Sequence, residues 1–228
     1  MKTSNKLILA ATVVVFAYLV VSDFALKAEY ATGNYKKEHY AMDDIALKSF
    51  TTIQNNAGNM IDIQIIRGDK FEVFMREGVK DRVTISQKND TVFIDNNGQH
   101  EGIVYGAITI KCPYFNNLIV NADTSGGNTT NLLNNVFGFN QPSLTIRATK
   151  WSYIQLAGNN FTQLDARMDG ENSHLLINKN NSIGAANFEM LGKSELELVY
   201  PIINKVSYKV SDSAKLIISG SLGRKLQQ

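Results

Sequence analysis

Beyond residue 50, apolar and polar residues alternate with a period of two, the signature of half-buried strands. Ile61-Asp62-Ile63-Gln64-Ile65 alternates cleanly, Arg67-Gly68-Asp69-Lys70 supplies turn chemistry, and Phe71-Glu72-Val73-Phe74-Met75 resumes. This pattern predicts a β-hairpin. Val83-Thr84-Ile85-Ser86 and Val92-Phe93-Ile94, separated by Lys88-Asn89-Asp90, predict a second, and Ala107-Ile108-Thr109-Ile110 a fifth strand. No amphipathic helical pattern follows the N-terminal segment, so the fold class expected is all-β.

The second half repeats. Ser152-Tyr153-Ile154-Gln155-Leu156, Ser173-His174-Leu175-Leu176-Ile177 and Ser194-Glu195-Leu196-Glu197-Leu198 align on their serines at spacings of 21 and 21. A fourth segment at Ser213 slips by about a residue. Between them run strand-like segments starting at Leu144, Leu164, Ala186 and Val206, with Leu118 a candidate start of the series. Two short strands per unit of about 21 residues predict a single-stranded parallel β-solenoid (β-helix-like), with antiparallel hairpins at its N-terminal end. Matching positions would then stack at about 4.8 Å. Ile146, Ala166, Phe188 and Tyr208 form one inward column; Leu156, Ile177 and Leu198 form another. Arg147, Arg167, Glu189 and Lys209 form an outward column of mixed charge. Gly158-Asn159-Asn160, Asp169-Gly170-Glu171-Asn172 and Asn178-Lys179-Asn180-Asn181 fall at the corners, where Asn and Gly tolerate left-handed backbone.

Residues 7–26 are apolar enough to span a bilayer: Leu7 to Val21 carries no charge, and 20 residues of helix rise about 30 Å. Ser22-Asp23-Phe24-Ala25-Leu26-Lys27-Ala28 offers no good cleavage site, so an uncleaved signal anchor is expected rather than a removed signal peptide. Lys2 and Lys6 would stay in the cytoplasm within a tail of residues 1–6. Residues 27–50 read as a juxtamembrane stalk, 51–220 as the β domain and 221–228 as a polar tail. The expected location is the inner membrane, single-pass, with the β domain in the periplasm or outside the cell.

Composition narrows the function. Of 228 residues, Lys and Arg number 23 and Asp and Glu 21, a net charge of +2 that gives no basic footprint for nucleic acid. One cysteine and three scattered histidines exclude a Cys/His metal cage and an intramolecular disulfide. No metal, cofactor or catalytic residue is expected. Asn is over-represented at 24 residues, which the corners absorb.

The stretch from Ile61 to Asn97, followed by Ile108-Thr109-Ile110, Pro113 and the Leu118 strand, resembles the bacterial GIN domain. That family of unassigned function carries an auto-transporter adhesin-head label and is common in Bacteroidetes envelopes. The resemblance covers about residues 50–220. It implies a β-solenoid in the envelope and, with the general handedness of crossovers, a right-handed one. The small Ser-Gly corners common in the family are largely replaced by larger residues here, such as Lys150-Trp151-Ser152.

Arg67-Gly68-Asp69 spells an integrin-binding tripeptide, but Gly-Asp is also what a turn demands. Glu195 and Glu197 share one face of a strand, yet nothing suggests the enclosed carboxyl pair of a glycosidase. Trp151, near Tyr153, could stack on a sugar or pack the edge. Residues 124–141 look like an inserted loop, whose Leu132, Leu133, Val136 and Phe137 would form either a contact patch or a cover. The reading is a membrane-anchored, non-enzymatic envelope protein that binds a glycan or another envelope protein through a surface drawn from Trp151, Tyr153, Leu132, Leu133, Val136 and Phe137. The alternatives are a self-associating scaffold resembling bactofilins and, more weakly, a carbohydrate-active enzyme.

Overall fold

A computed structural model of the chain describes residues 3–33, 36, 42–97, 104–122 and 132–220. The chain divides into two units, Met1–Met42 and Asp43–Gln228. In the first, helix α1 spans Thr3–Thr32, so it continues beyond residue 26 into the expected stalk. Its apolar side chains, from Leu7 to Tyr30, are exposed. The stretch Asn5–Thr32 is long and apolar enough to cross a membrane, a property that signal sequences share.

The second unit is built of strands in two sheets. The N-terminal part contributes β1 (Met42–Ala46), β2 (Thr52–Asn55), β3 (Ile61–Arg67), β4 (Glu72–Arg76), β5 (Val83–Lys88), β6 (Thr91–Asn96), β7 (Val104–Cys112) and β8 (Asn117–Val120). Then follow β9 (Leu133–Phe137), β10 (Asn140–Ala148), β11 (Tyr153–Ala157), β12 (Asn160–Asp169) and β13 (His174–Ile177). The last four are β14 (Ser182–Leu191), β15 (Glu195–Val199), β16 (Ile202–Val210) and β17 (Lys215–Ser219). The orders are β1-β4-β7-β3-β9-β11-β13-β15-β17 and β16-β14-β12-β10-β8-β2-β6-β5. From β8 onward, consecutive strands alternate between the sheets, and each pairs in parallel with the strand two places along.

The registers follow the repeat. Leu118, Ile146, Ala166, Phe188 and Tyr208 pair in series, as do Val136, Leu156, Ile177, Leu198 and Ile218. Both columns are buried until their last members, Tyr208 and Ile218, which are only partly covered. Each buried Leu or Ile contributes roughly 1.5–3 kcal/mol, so the stacked columns carry much of the fold's stability. Ser152, Ser173 and Ser194 are buried just before their strands. In the fourth unit Lys215 pairs with Glu195, so Ala214 rather than Ser213 takes the serine's place.

Three sequence expectations change. The strands flanking Arg67-Gly68-Asp69 do not form a hairpin: β7 lies between them, parallel to β3 and antiparallel to β4. The turn leans on that intervening strand through the Gly68 N–H, which donates to the Cys112 carbonyl at 3.0 Å. Residues 133–137 and 140–148 are strands rather than an inserted loop, and residues 124–131 lie outside the described set. Strand structure starts before residue 51: β1 joins the larger sheet, and Phe50 is buried against Phe71 at 4.8 Å between ring centroids. The hairpin around Lys88-Asn89-Asp90 forms as expected, with β5 antiparallel to β6 and Asn89 at φ 56°. The tail 221–228 lies outside the described residues.

Not all the corner asparagines are there for left-handed backbone. Asn159 and Asn181 point inward and are buried. The Phe139 N–H donates to Asn159 Oδ1 at 3.0 Å, and Asn159 Nδ2 donates to the Val136 carbonyl at 3.0 Å. Asn181 Nδ2 donates to the carbonyls of Leu156 (2.8 Å) and Asn178 (2.6 Å). These amides satisfy backbone groups that the turn between strands takes out of the ladders.

Candidate functional site

The residues nominated from the sequence divide among four places. Leu132 and Val136 are core. Leu133 and Tyr153 pair across β9 and β11 on the outer face of the larger sheet, where Tyr153 stacks on His174 (centroids 4.8 Å apart, planes 9° apart). Burial, and then the nearby Glu197 carboxylate, push the Tyr153 phenol above its ordinary pKa. Trp151 sits half-buried in the turn before β11 at φ 56°, its N–H donating to the Glu171 carbonyl at 3.0 Å. Phe137 lies at the far end of the strands and is 52 % exposed. The five-residue β11 separates the Trp151 end from the Phe137 end, so these aromatics do not form one patch.

Phe137 instead belongs to a groove of about 510 Å³, lined by Phe137, Gly158, Asn178, Lys179, Asn180 and Tyr200 among others. The turns along this edge use a left-handed residue at each step. Gly138 (φ 83°), Gly158 (65°), Asn180 (70°), Tyr200 (55°) and Gly220 (90°) recur every 20 to 22 residues. Glycine and asparagine take that backbone readily, whereas for other residues it costs roughly 1–2 kcal/mol. Tyr200 is the exception in the column, and it is 63 % exposed. Its ring lies over Gly220, where an added Cβ would come within 2.6 Å of it, just as the Phe137 ring lies over Gly158 at 3.1 Å. Two exposed rings thus bracket a floor of amide and ammonium groups. Tyr200 was missed in the sequence, although its 20-residue spacing from Asn180 placed it in the glycine column.

The outer face of the smaller sheet carries a second, charged groove of about 450 Å³. Here Glu189 is gripped from both sides, by Lys209 Nζ at 2.6 Å and Arg167 Nη1 at 2.7 Å. The hydrogen bond from Lys209 and the charge of Arg167 hold its carboxyl below the ordinary glutamate pKa. Asn187 Nδ2 donates to Asp165 Oδ1 (2.7 Å) and Ser207 Oγ to Asn187 Oδ1 (2.6 Å). These groups satisfy one another, as expected of a solvated face.

Two solved structures share this fold. A "putative adhesin" from Parabacteroides distasonis matches 77 % of this chain and 71 % of its own with a TM-score of 0.59 at 16 % identity. A "putative adhesin" from Bacteroides fragilis matches 77 % of this chain and 96 % of its own with a TM-score of 0.51 at 14 % identity. No family model matches the sequence, and no curated protein does. The likeness is one of fold.

Proposed function

We propose that the chain is a non-enzymatic envelope protein whose β unit is a right-handed single-chain solenoid of the GIN type, and that it binds a glycan in the groove between Phe137 and Tyr200. Alternation of consecutive strands between two parallel-stacked sheets supports the solenoid reading. The apolar α1 and the adhesin names of proteins sharing the fold support an envelope location, with α1 as the anchor.

The observation that carries the glycan reading is Tyr200. A bulky side chain held in left-handed backbone, where neighbouring steps use Gly or Asn, points to a role beyond folding. A saccharide ring has an apolar C–H face and a rim of hydroxyls. Phe137 and Tyr200 offer faces for the first, and Asn178, Asn180 and Lys179 offer donors and acceptors for the second. The test is retention of the detergent-solubilised full chain on immobilised bacterial and animal glycans. Retention that falls at least tenfold in Phe137→Ala and Tyr200→Ala supports the reading. No retention, or retention indifferent to both variants, overturns it.

A scaffold is the second reading. Among the described residues β16 and β17 end their sheets, and Tyr208, Leu216 and Ile218 there are only partly covered. Toward the other ends of the sheets lie the antiparallel pairs β5–β6 and β4–β7, which do not continue a parallel stack. A cross-linked ladder of the chain with itself alone, in its own envelope, would favour the scaffold over the binder.

A further inference from the structure

The register of β13 on β15 sets His174 directly beside Glu195, and Glu197 lies two residues further on the same outward face. One donor atom from each of the three lies within 4.8 Å of the others. His174 Nε2 is itself buried, has no hydrogen-bond partner, and faces Glu197 Oε2 at 3.5 Å. Tyr153, stacked on the imidazole, fixes the plane of that ring. On the far side Lys215 Nζ approaches both oxygens of Glu195, at 3.2 and 3.3 Å.

A histidine–carboxylate ion pair would engage Glu197 alone and would close to a hydrogen bond. Here the Nε2–Glu197 contact stays open at 3.5 Å without a hydrogen bond, and Glu195 on the same strand brings a second carboxylate within 4.8 Å. We propose that His174, Glu195 and Glu197 form a binding site for a divalent transition-metal ion of the Zn²⁺ type. One imidazole nitrogen and two carboxylates suit zinc and its neighbours, whereas Ca²⁺ and Mg²⁺ take oxygen donors. Bond lengths of about 2.0–2.2 Å place tetrahedral donors roughly 3.4 Å apart, so side-chain torsions at this half-buried cluster draw the three in by about 1 Å on binding. Water fills the remaining position. Lys215 is the local antagonist, because its ammonium occupies Glu195 and repels the incoming cation.

The test is calorimetric titration of ZnCl₂ into the metal-stripped, detergent-solubilised full chain, with Co²⁺ absorption as a second readout. One saturable Zn²⁺ per chain is expected, weakened at least tenfold in His174→Ala and in Glu197→Gln, with loss of the Co²⁺ ligand-field bands. Lys215→Met is expected to tighten binding several-fold, an effect that a generic acidic surface without Lys215 at its edge would not show. Circular dichroism confirms retained strands, and if His174→Ala fails to fold, Glu197→Gln decides. No saturable binding, affinity unchanged in the ligand variants, or weaker binding in Lys215→Met overturns the proposal.

Discussion

The backbone N–H and the side-chain amide of Asn159 both donate to a single atom, Oδ1 of Asn181, at 3.0 and 3.1 Å. That shared acceptor ties two successive turns together inside the protein, where water cannot substitute. Asn159→Ala removes the buried acceptor of the Phe139 N–H and a donor to the Val136 carbonyl. The expected loss is about 3 kcal/mol of stability in urea unfolding. Asn160→Ala, which removes only an exposed contact to Asn140, is the control and should cost less than about 0.5 kcal/mol.

Glu189 gives the smaller sheet an acid-sensitive seam. Its folded carboxyl lies below the ordinary pKa of about 4.3, so its stabilising effect is present above that value and is lost as pH falls through the folded value. The urea midpoint of the native chain should therefore drop more between pH 6 and pH 3 than that of Glu189→Gln. The difference should shrink in high salt, because the ion pairs with Arg167 and Lys209 are exposed.

Cys112 is fully buried, and burial pushes its thiol up to about 12. Thiolate is the reactive form, so a thiol reagent at pH 8 should label the native chain at least ~100-fold more slowly than the urea-unfolded one. Labelling should then follow global unfolding and quicken in Asn159→Ala. Rapid labelling of the native chain would contradict the packing of β7 between β3 and β4.

Tyr200 should show stability and binding pulling apart. Tyr200→Gly relieves the left-handed strain and is expected to leave thermal stability unchanged or raised by up to about 1 kcal/mol. Glycan retention should be lost in the same variant. A clear destabilisation would mean that the ring's packing over Gly220 outweighs the strain.

The 21-residue repeat was legible to the level of register, because strands that stack in parallel must bring matching apolar positions together. The Arg167–Glu189–Lys209 contacts follow from it. The same alignment already set His174 beside Glu195, each following an aligned serine, but composition alone had argued against metal. The β3–β4 hairpin misled because local alternation and a Gly-Asp turn say nothing of β7, whose sequence lies some forty residues on. Leu132 and Val136 misled for a similar reason: flanking Gly and Asn residues suggested a loop, while the inward face of β9 depended on neighbours distant in sequence. Which corner asparagines turn their amides inward was not legible, since both roles reward a short amide.

The parallel register between β9 and β15 also makes the molecule a ruler. Phe137 and Tyr200 stand three strand steps apart, about 14 Å at the usual spacing. Excising one complete two-strand repeat between them would leave every remaining column in register and shorten that span by one step. The distance between the two rings is therefore set by a count of repeats rather than by the shape of a pocket.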